Sequence, residues 1–413
     1  MLRILESSQV GRLFSRRATR LSEAEDVVRP ILEAVRKSGD KALLEYARRF
    51  DKLERKSVRV PVKELEAAAN RLTPEFCSAV DVAAQNVRRF AEHQLPSEYT
   101  GTFPPGLQLG QIVRPLDTVG AYIPAGRYPL PSTVIITAVP ALAAGVTNVC
   151  IACPKAVDEV YGTALMLGLD QVFQMGGAQA IAAFAFGTKT VPRADRIVGP
   201  GNIYVAAAKK LLAGEVGIDF VAGPTEILII AAEGEPEFLA ADMLAQAEHD
   251  TDASAILLTT SRRLAQKVAK EIERQLKTLT TAPVARKAID KNSAAVVVRS
   301  LDEAVELSNA FAPEHLALHH PELLPKIRHA GSIFIGPYSP EAAGDYSSGP
   351  NHVLPTNGVA RIRGGLSAAD YVKVISTQQL DRRSLGKLAP SILTLARAEG
   401  LEAHARSVEV RLA

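Results

Sequence analysis

The chain is predicted to be an α/β protein in which a helical N-terminal layer precedes two units of parallel sheet flanked by helices, with a C-terminal tail after them. Three observations carry this. Over 24–93 apolar residues recur at helical spacing. Beyond Gly106 short β-rich runs alternate with helical segments across Gly- and Pro-bearing turns. At 413 residues the chain also exceeds what one ordinary core organises.

In order, DVVRPILEAVRKSGDKALLEYARRFD repeats apolar residues at i, i+3 and i+4 and breaks at Gly39; VKELEAAANRL precedes Thr73-Pro74, and CSAVDVAAQNVRRFAEHQ follows. These runs give a helical region, 1–105, with no convergent catalytic set; His93 reads as a surface or capping residue. From Gly106 the text is LQLGQIVRPLDTVGAYIPAG, a helix through STVIITAVPALAAG, the strand NVCIACP, a helix over 157–167, the strand DQVFQM and the helix AQAIAAFAFG. The strand RIVG, the turn GPGN, the helix IYVAAAKKLLAG and the strands IDFVAG and EILIIAA complete a first α/β domain, 106–235.

The alternation then repeats. The helix EFLAADMLAQAEHD, the strand SAILLT, a helix over 262–279, the strand AAVVVR, a helix over 302–310, the segment APEHLAL, a helix over 322–329 and the strand SIFIG make a second α/β domain, 236–358. Its last strand feeds GDYSSGPNHVLP, whose Gly, Ser and Pro content predicts a surface loop rather than a helix. After VARIRGG the text is helical again and forms the tail, 359–413. In sheets of this kind ligands are expected beyond the carboxyl ends of the strands.

Composition excludes several classes. Apolar content of 47% with 23% charged residues is that of a soluble globular protein. The net charge of +3, from 48 basic against 45 acidic residues, gives no footprint for nucleic acid, and the basic cluster Arg16, Arg17 and Arg20 lacks interleaved aromatics and reads as a solvated helix face. No uninterrupted apolar stretch of about 20 residues is present to span a membrane, and the N-terminus, carrying Glu6, does not read as a secretory signal. Three cysteines favour a reducing compartment, hence a cytoplasmic location. Cys150 and Cys153 form a C-x-x-C, but residues three apart on a strand point to opposite faces, so buried thiols are the better reading than a redox or zinc pair.

The residues that could carry chemistry are dispersed. Gly176-Gly177, GPGN and Gly223-Pro224-Thr225 follow strands, where backbone amides can cradle a pyrophosphate, yet Tyr204 stands where the dinucleotide fingerprint wants a third Gly; plain tight turns fit equally well. Gln246 and His249 share a face at the end of one helix, either as ligands or as satisfiers of the last carbonyls. With Asp345 in the loop and His404 near the C-terminus they would make a mixed N/O set suited to zinc, leaving room for substrate. Glu314 and His315 follow Pro313 and diverge, a carboxylate to activate water and an imidazole as general base. His319 and His320 read as solvated imidazoles.

The segments VGAYIPAG, GGAQAIAAFAFGT, GPGN, AGPTEILIIA, LAQAEHD, APEHLAL, GSIFIGPYSPEAAGDYSSGPNHVLPT and EGLEAHARSV occur in an order that resembles the histidinol dehydrogenase family, from about residue 26 to 411. The resemblance implies a zinc-dependent, NAD-linked oxidation of L-histidinol through L-histidinaldehyde to L-histidine, the last step of histidine biosynthesis. It implies two Rossmann-like α/β/α units, similar to aldehyde dehydrogenases, in a homodimer whose active site the partner completes. The implied ligands of one zinc per subunit are Gln246, His249, Asp345 and His404, all of which would also meet substrate. His315 is the implied base, Glu314 the water activator, Tyr122, Gln179 and Asn202 the NAD contacts, and Thr225 and Glu399 further substrate contacts.

His352 has a place in the motif but no ligand role; support of a ligand is expected. Two positions depart from the family pattern, Ala125 where Gly is usual and Thr225 where Ser is usual. A paralogous zinc- and NAD-dependent dehydrogenase of another small polar alcohol is the competing reading; Glu399 and the full ligand set favour histidinol. With no cysteine beside these residues, the aldehyde step should need no thiohemiacetal.

Overall fold

The computed structural model describes every residue except 15–20, 105 and 126–127. The basic cluster Arg16, Arg17 and Arg20 therefore lies outside the described residues.

A five-stranded parallel sheet runs in the order Val172–Gln174, Asn148–Cys153, Thr118–Tyr122, Arg196–Val198, Gly217–Ile218. Its faces are both buried. Along Asn148–Cys153, Val149, Ile151 and Cys153 enter the core shared with helix Pro131–Ala143, while Cys150 and Ala152 enter the one shared with helix Gly177–Phe186. The two thiols thus point apart, as expected; both are free and buried, and burial pushes them up to about 12 and about 11. Protonated at neutral pH, they are poor nucleophiles. Helix Pro131–Ala143 is enclosed on every side from Ser132 to Ala141, which its nearly unbroken apolar text requires.

The N-terminal helices cover this sheet. Leu21–Ser38 lies against Gly177–Phe186 and Ile203–Leu212, Val62–Ala69 against Asp158–Met166, and Pro74–His93 against Pro131–Ala143. Thr73 caps the last by accepting from the Phe76 amide at 3.2 Å, with Pro74 at the first helical position.

A second, six-stranded parallel sheet runs Arg3–Glu6, Ala294–Val297, Ser254–Thr259, Glu226–Ile230, His315–Leu318, Ser332–Ile335. Its central strands are apolar on both faces: Ile227 and Ile229 enter one core, Leu228 and Ile230 the other. Glu226–Ile230 pairs here and not in the first sheet, so sheet membership changes between Ile218 and Glu226, one strand ahead of residue 235. The first residues likewise form an edge strand of this sheet, although the region was expected to be helical.

Three further segments differ from expectation. Val372–Gln379, in text read as helical, is a strand that pairs antiparallel with Leu107–Pro115, which also pairs with Tyr99–Phe103; its Val, Ile and Thr residues suit a pleated surface. The segment expected as a helix over 322–329 is a short 3-10 turn, Pro321–Lys326, because Pro325 cannot donate to an α-helical ladder. Asp345 lies not in a loop but in a short helix, Glu341–Tyr346, which ends where Ser347, Ser348 and Gly349 begin.

Candidate active site

Helix Leu301–Phe311 ends on Ala312 in the left-handed conformation, φ 52°, and Pro313 and Glu314 lead straight into strand His315–Leu318. That strand lies between Glu226–Ile230 and Ser332–Ile335, with His315 opposite Ile227 and Ser332. Glu314 and His315 therefore stand at the amino ends of the second sheet, not beyond carboxyl ends. For this sheet the expectation is corrected, because here the side chains come from the loops that enter the strands.

Glu314 is buried. Its Oε2 accepts from the Thr225 hydroxyl at 2.5 Å and from the Glu226 amide at 2.8 Å. Burial still dominates and raises its pKa well above the ordinary carboxylate value, with those two bonds opposing. The Thr225 hydroxyl in turn accepts from Gln246 Nε2 at 2.8 Å, which fixes the amide orientation and leaves Gln246 Oε1 buried without a partner.

His315 Nδ1 lies 3.2 Å from the Glu226 carbonyl oxygen. A carbonyl only accepts, so Nδ1 carries the proton and Nε2 the lone pair. Nε2 is buried, has no hydrogen-bond partner, and lies 3.9 Å from Asp345 Oδ1. Burial, chiefly, pushes the imidazole down to about 3, so it is neutral at physiological pH. Phe334 stacks on the ring at a centroid distance of 5.9 Å and excludes water from that side.

Asp345 is pushed up to about 7 by burial. His352 holds this segment in place: Nδ1 donates to the Asp345 carbonyl at 2.7 Å, and Nε2 meets Thr133 Oγ1 of helix Pro131–Ala143 at 3.3 Å. The contact ties the second sheet's site to a helix of the first. Burial lowers His352 to about 4 and also lowers His249, which lies near enough to act electrostatically on both His315 and His352.

Thr225, Gln246, Glu314, His315 and Asp345 are thus brought together, with His249 and His352 at their edge. Glu399 and His404 are not joined to them: Glu399, the C-cap of helix Arg382–Ala398, and His404, on helix Glu402–Leu412, are both exposed, and among the described residues no hydrogen bond or ion pair links either to the cluster. Among the described residues no group of three or more His, Cys, Asp or Glu is disposed to hold a metal.

Of the three expected cofactor residues, Tyr122 ends a strand of the first sheet, and Gln179 and Asn202 follow two others. Strand order reverses at Thr118–Tyr122, the switch point at which open α/β sheets receive nucleotides. Tyr122 is buried and its hydroxyl accepts from the Gly177 amide at 3.2 Å. Gln179 Nε2 donates to Asp51 at 3.0 Å, and Asp51 also takes the Gly176 amide at 2.9 Å. Asn202 caps helix Ile203–Leu212 by accepting from the Tyr204 and Val205 amides. Gly199, at φ +106°, lets this turn approach the Tyr122 carbonyl, which a Cβ would overlap. Buried Lys209 and Asp219, 2.7 Å apart, hold both backbone groups of Gly199.

Asp51 and Glu341 were missed from sequence. Asp51, pushed up to about 6 by burial, ends an amphipathic helix that buries Ala42, Leu43 and Ala47. Glu341 had a signal in its spacing, four residues before Asp345 on one helical face. No helix is long and apolar enough to cross a membrane among the described residues.

The sequence model of the histidinol dehydrogenase family matches residues 14–412. A histidinol dehydrogenase of Geobacter sulfurreducens is 49% identical over 401 residues, covering 94% of each chain. The crystal structure of histidinol dehydrogenase from Elizabethkingia anophelis superposes with a TM-score of 0.95 at 36% identity, over 100% of this chain and 98% of that one. An acetylating aldehyde dehydrogenase from Geobacillus thermoglucosidasius shares the fold alone, with a TM-score of 0.50 at 13% identity over 88% of this chain and 98% of that one.

Proposed function

The chain belongs to the histidinol dehydrogenase family of oxidoreductases, the family of the final step of histidine biosynthesis, and from that premise we propose that it oxidises L-histidinol to L-histidine through L-histidinaldehyde with zinc and NAD. The observation that carries this is the chain Gln246–Thr225–Glu314 beside His315, which leaves two buried acceptors, Gln246 Oε1 and His315 Nε2, without partners. Buried acceptors are ordinarily satisfied, so both await a ligand.

The donor set fits zinc: an amide oxygen, an imidazole and a carboxylate lie on adjoining segments. Gln246, His249 and Asp345 would hold one ion per subunit with His404 of a second copy, supplying when bound a Lewis acid that anchors the amine and imidazole of histidinol. Tyr122, Gln179 and Asn202, at the switch point, would hold NAD, which when bound supplies the hydride acceptor. The first sheet would then serve the cofactor and the second the chemistry, with Glu399 and His404 reaching the site of the partner in a homodimer.

His315 performs the proton work at Nε2, taking the substrate hydroxyl proton as hydride leaves carbon. Its neutral form is secured by burial and its tautomer by the Glu226 carbonyl. Glu314 accepts a proton from the water that attacks the aldehyde, while Thr225 and the Glu226 amide fix the direction of its carboxylate. Phe334 and the buried strands keep bulk water away from both. The test is NADH formation by the zinc-loaded chain with histidinol against a panel of small polar alcohols. Turnover confined to histidinol is expected; none with histidinol refutes the reading.

A further inference from the structure

Asp51 is the last residue of helix Asp40–Asp51, which Lys52 closes in the left-handed conformation. An acid at that end faces the negative pole of the helix dipole. Burial also pushes its carboxyl up to about 6, and what opposes burial is two hydrogen bonds rather than a cation. Local preference therefore gives no reason for a carboxylate at this place.

Its partners do. Asp51 Oδ2 accepts from the Gly176 amide at 2.9 Å and from Gln179 Nε2 at 3.0 Å. Gly176 precedes helix Gly177–Phe186 and has no side chain with which to cap it; a Cβ there would overlap Asp51 Oδ1 and Pro154. The next amide, of Gly177, goes to the Tyr122 hydroxyl at 3.2 Å. Tyr122 and Gln179 thus meet at the helix end that Asp51 caps. That end is where glycine-rich turns take a pyrophosphate, and here a carboxylate of the protein already holds it.

The consequence falls on Gln179, which is 1% exposed. A carboxamide can present either its oxygen or its NH2, and its surroundings decide which. An ionised carboxylate only accepts, so Nε2 is committed to Asp51 and Oε1 is the atom left to offer a ligand. We propose that Asp51 is a positioning residue of the cofactor site, holding the Gln179 amide with its oxygen turned to an O–H or N–H donor in an uncharged part of the dinucleotide. The inference rests on the reading of Gln179 as an NAD contact, and Asp51 acts through Gln179 rather than by a contact of its own.

The test measures NADH binding, by the fluorescence of the bound nicotinamide, to the zinc-loaded full chain and to its Asp51→Ala, Gln179→Leu and doubly substituted forms. Asp51→Ala should weaken NADH by roughly 10-fold, the scale of one hydrogen bond to a charged group, and raise the KM for NAD in step, with zinc content and the KM for histidinol unchanged. Gln179→Leu should weaken NADH at least as much. Adding Asp51→Ala to it should weaken NADH no further, because the group through which Asp51 acts is gone. Unaltered NADH affinity in Asp51→Ala, additive losses in the double form, or a KM for histidinol raised as much as that for NAD overturns the proposal. If Asp51→Ala does not fold, Asp51→Glu keeps the charge but displaces the carboxylate, and must show the same loss and the same non-additivity. Gln179→Leu separates the cases: if it binds NADH like wild type the cofactor reading of Gln179 fails, and if it binds weakly while Asp51→Ala does not, only the role of Asp51 fails.

Discussion

Replacing Thr225 by Val keeps the shape of the side chain and deletes the hydroxyl that stands between two functional groups. Glu314 would retain the Glu226 amide at 2.8 Å and lose the hydroxyl at 2.5 Å; Gln246 Nε2 would lose its acceptor at 2.8 Å. Two buried groups are then each one partner short, at about 1–3 kcal/mol apiece, or roughly 2–6 kcal/mol in folding stability if neither rearranges. In the reaction, the loss of a charge-assisted bond to the group that directs water is expected to slow the aldehyde step by ~10- to 100-fold. Histidinaldehyde should accumulate. Thr225→Ser keeps the hydroxyl and should stay close to wild type in both respects. Urea unfolding and separate assays with histidinol and histidinaldehyde read the two effects, and a Val variant with wild-type stability and wild-type aldehyde oxidation would refute the reasoning.

Three further predictions follow from the same geometry. His352, folded at about 4 against an ordinary value of about 6.5, binds fewer protons folded than unfolded between those pH values, so its stabilisation is full above 6.5 and is lost as pH falls toward 4; His352→Asn should flatten the slope of stability against pH in that window, as read by thermal unfolding of the metal-free protein. Lys209→Met leaves Asp219 buried and unpaired and should cost about 3–5 kcal/mol in urea unfolding, whereas adding Asp219→Asn should recover part of it. If His404 is supplied by a second copy, mixed dimers of His404→Ala and Asp345→Ala chains contain one intact site, so refolding the two inactive variants together should restore about a quarter of wild-type activity; no recovery after confirmed mixing would place His404 elsewhere.

The parallel sheets were legible because buried strands announce themselves as short apolar runs between turns, and Glu226–Ile230 or Ser254–Thr259 need little context to be seen. Sheet membership was not. Nothing local in EILIIAA says which sheet it joins, and RILE at the N-terminus becomes a strand only beside Ala294–Val297. The same limit governs the site. Gln246 was visible as a polar residue on an apolar helix, but its pairing with Thr225, 21 residues away in sequence, depends on two elements meeting in space. Asp345 is marked by its motif; Glu341 has the helical spacing to share its face, but a burial that leaves a carboxyl without donors is a property of packing. Glu399 and His404 remain apart from the cluster within one chain.

The most direct test of the central claim is a crystal structure of the protein loaded with zinc. The account predicts one ion bound by Gln246 through Oε1, by His249 and by Asp345 of one chain, and by His404 of a second copy, with Gln246 Nε2 still donating to Thr225. An ion held by other residues, or a Gln246 amide turned so that Oε1 faces Thr225, would contradict it.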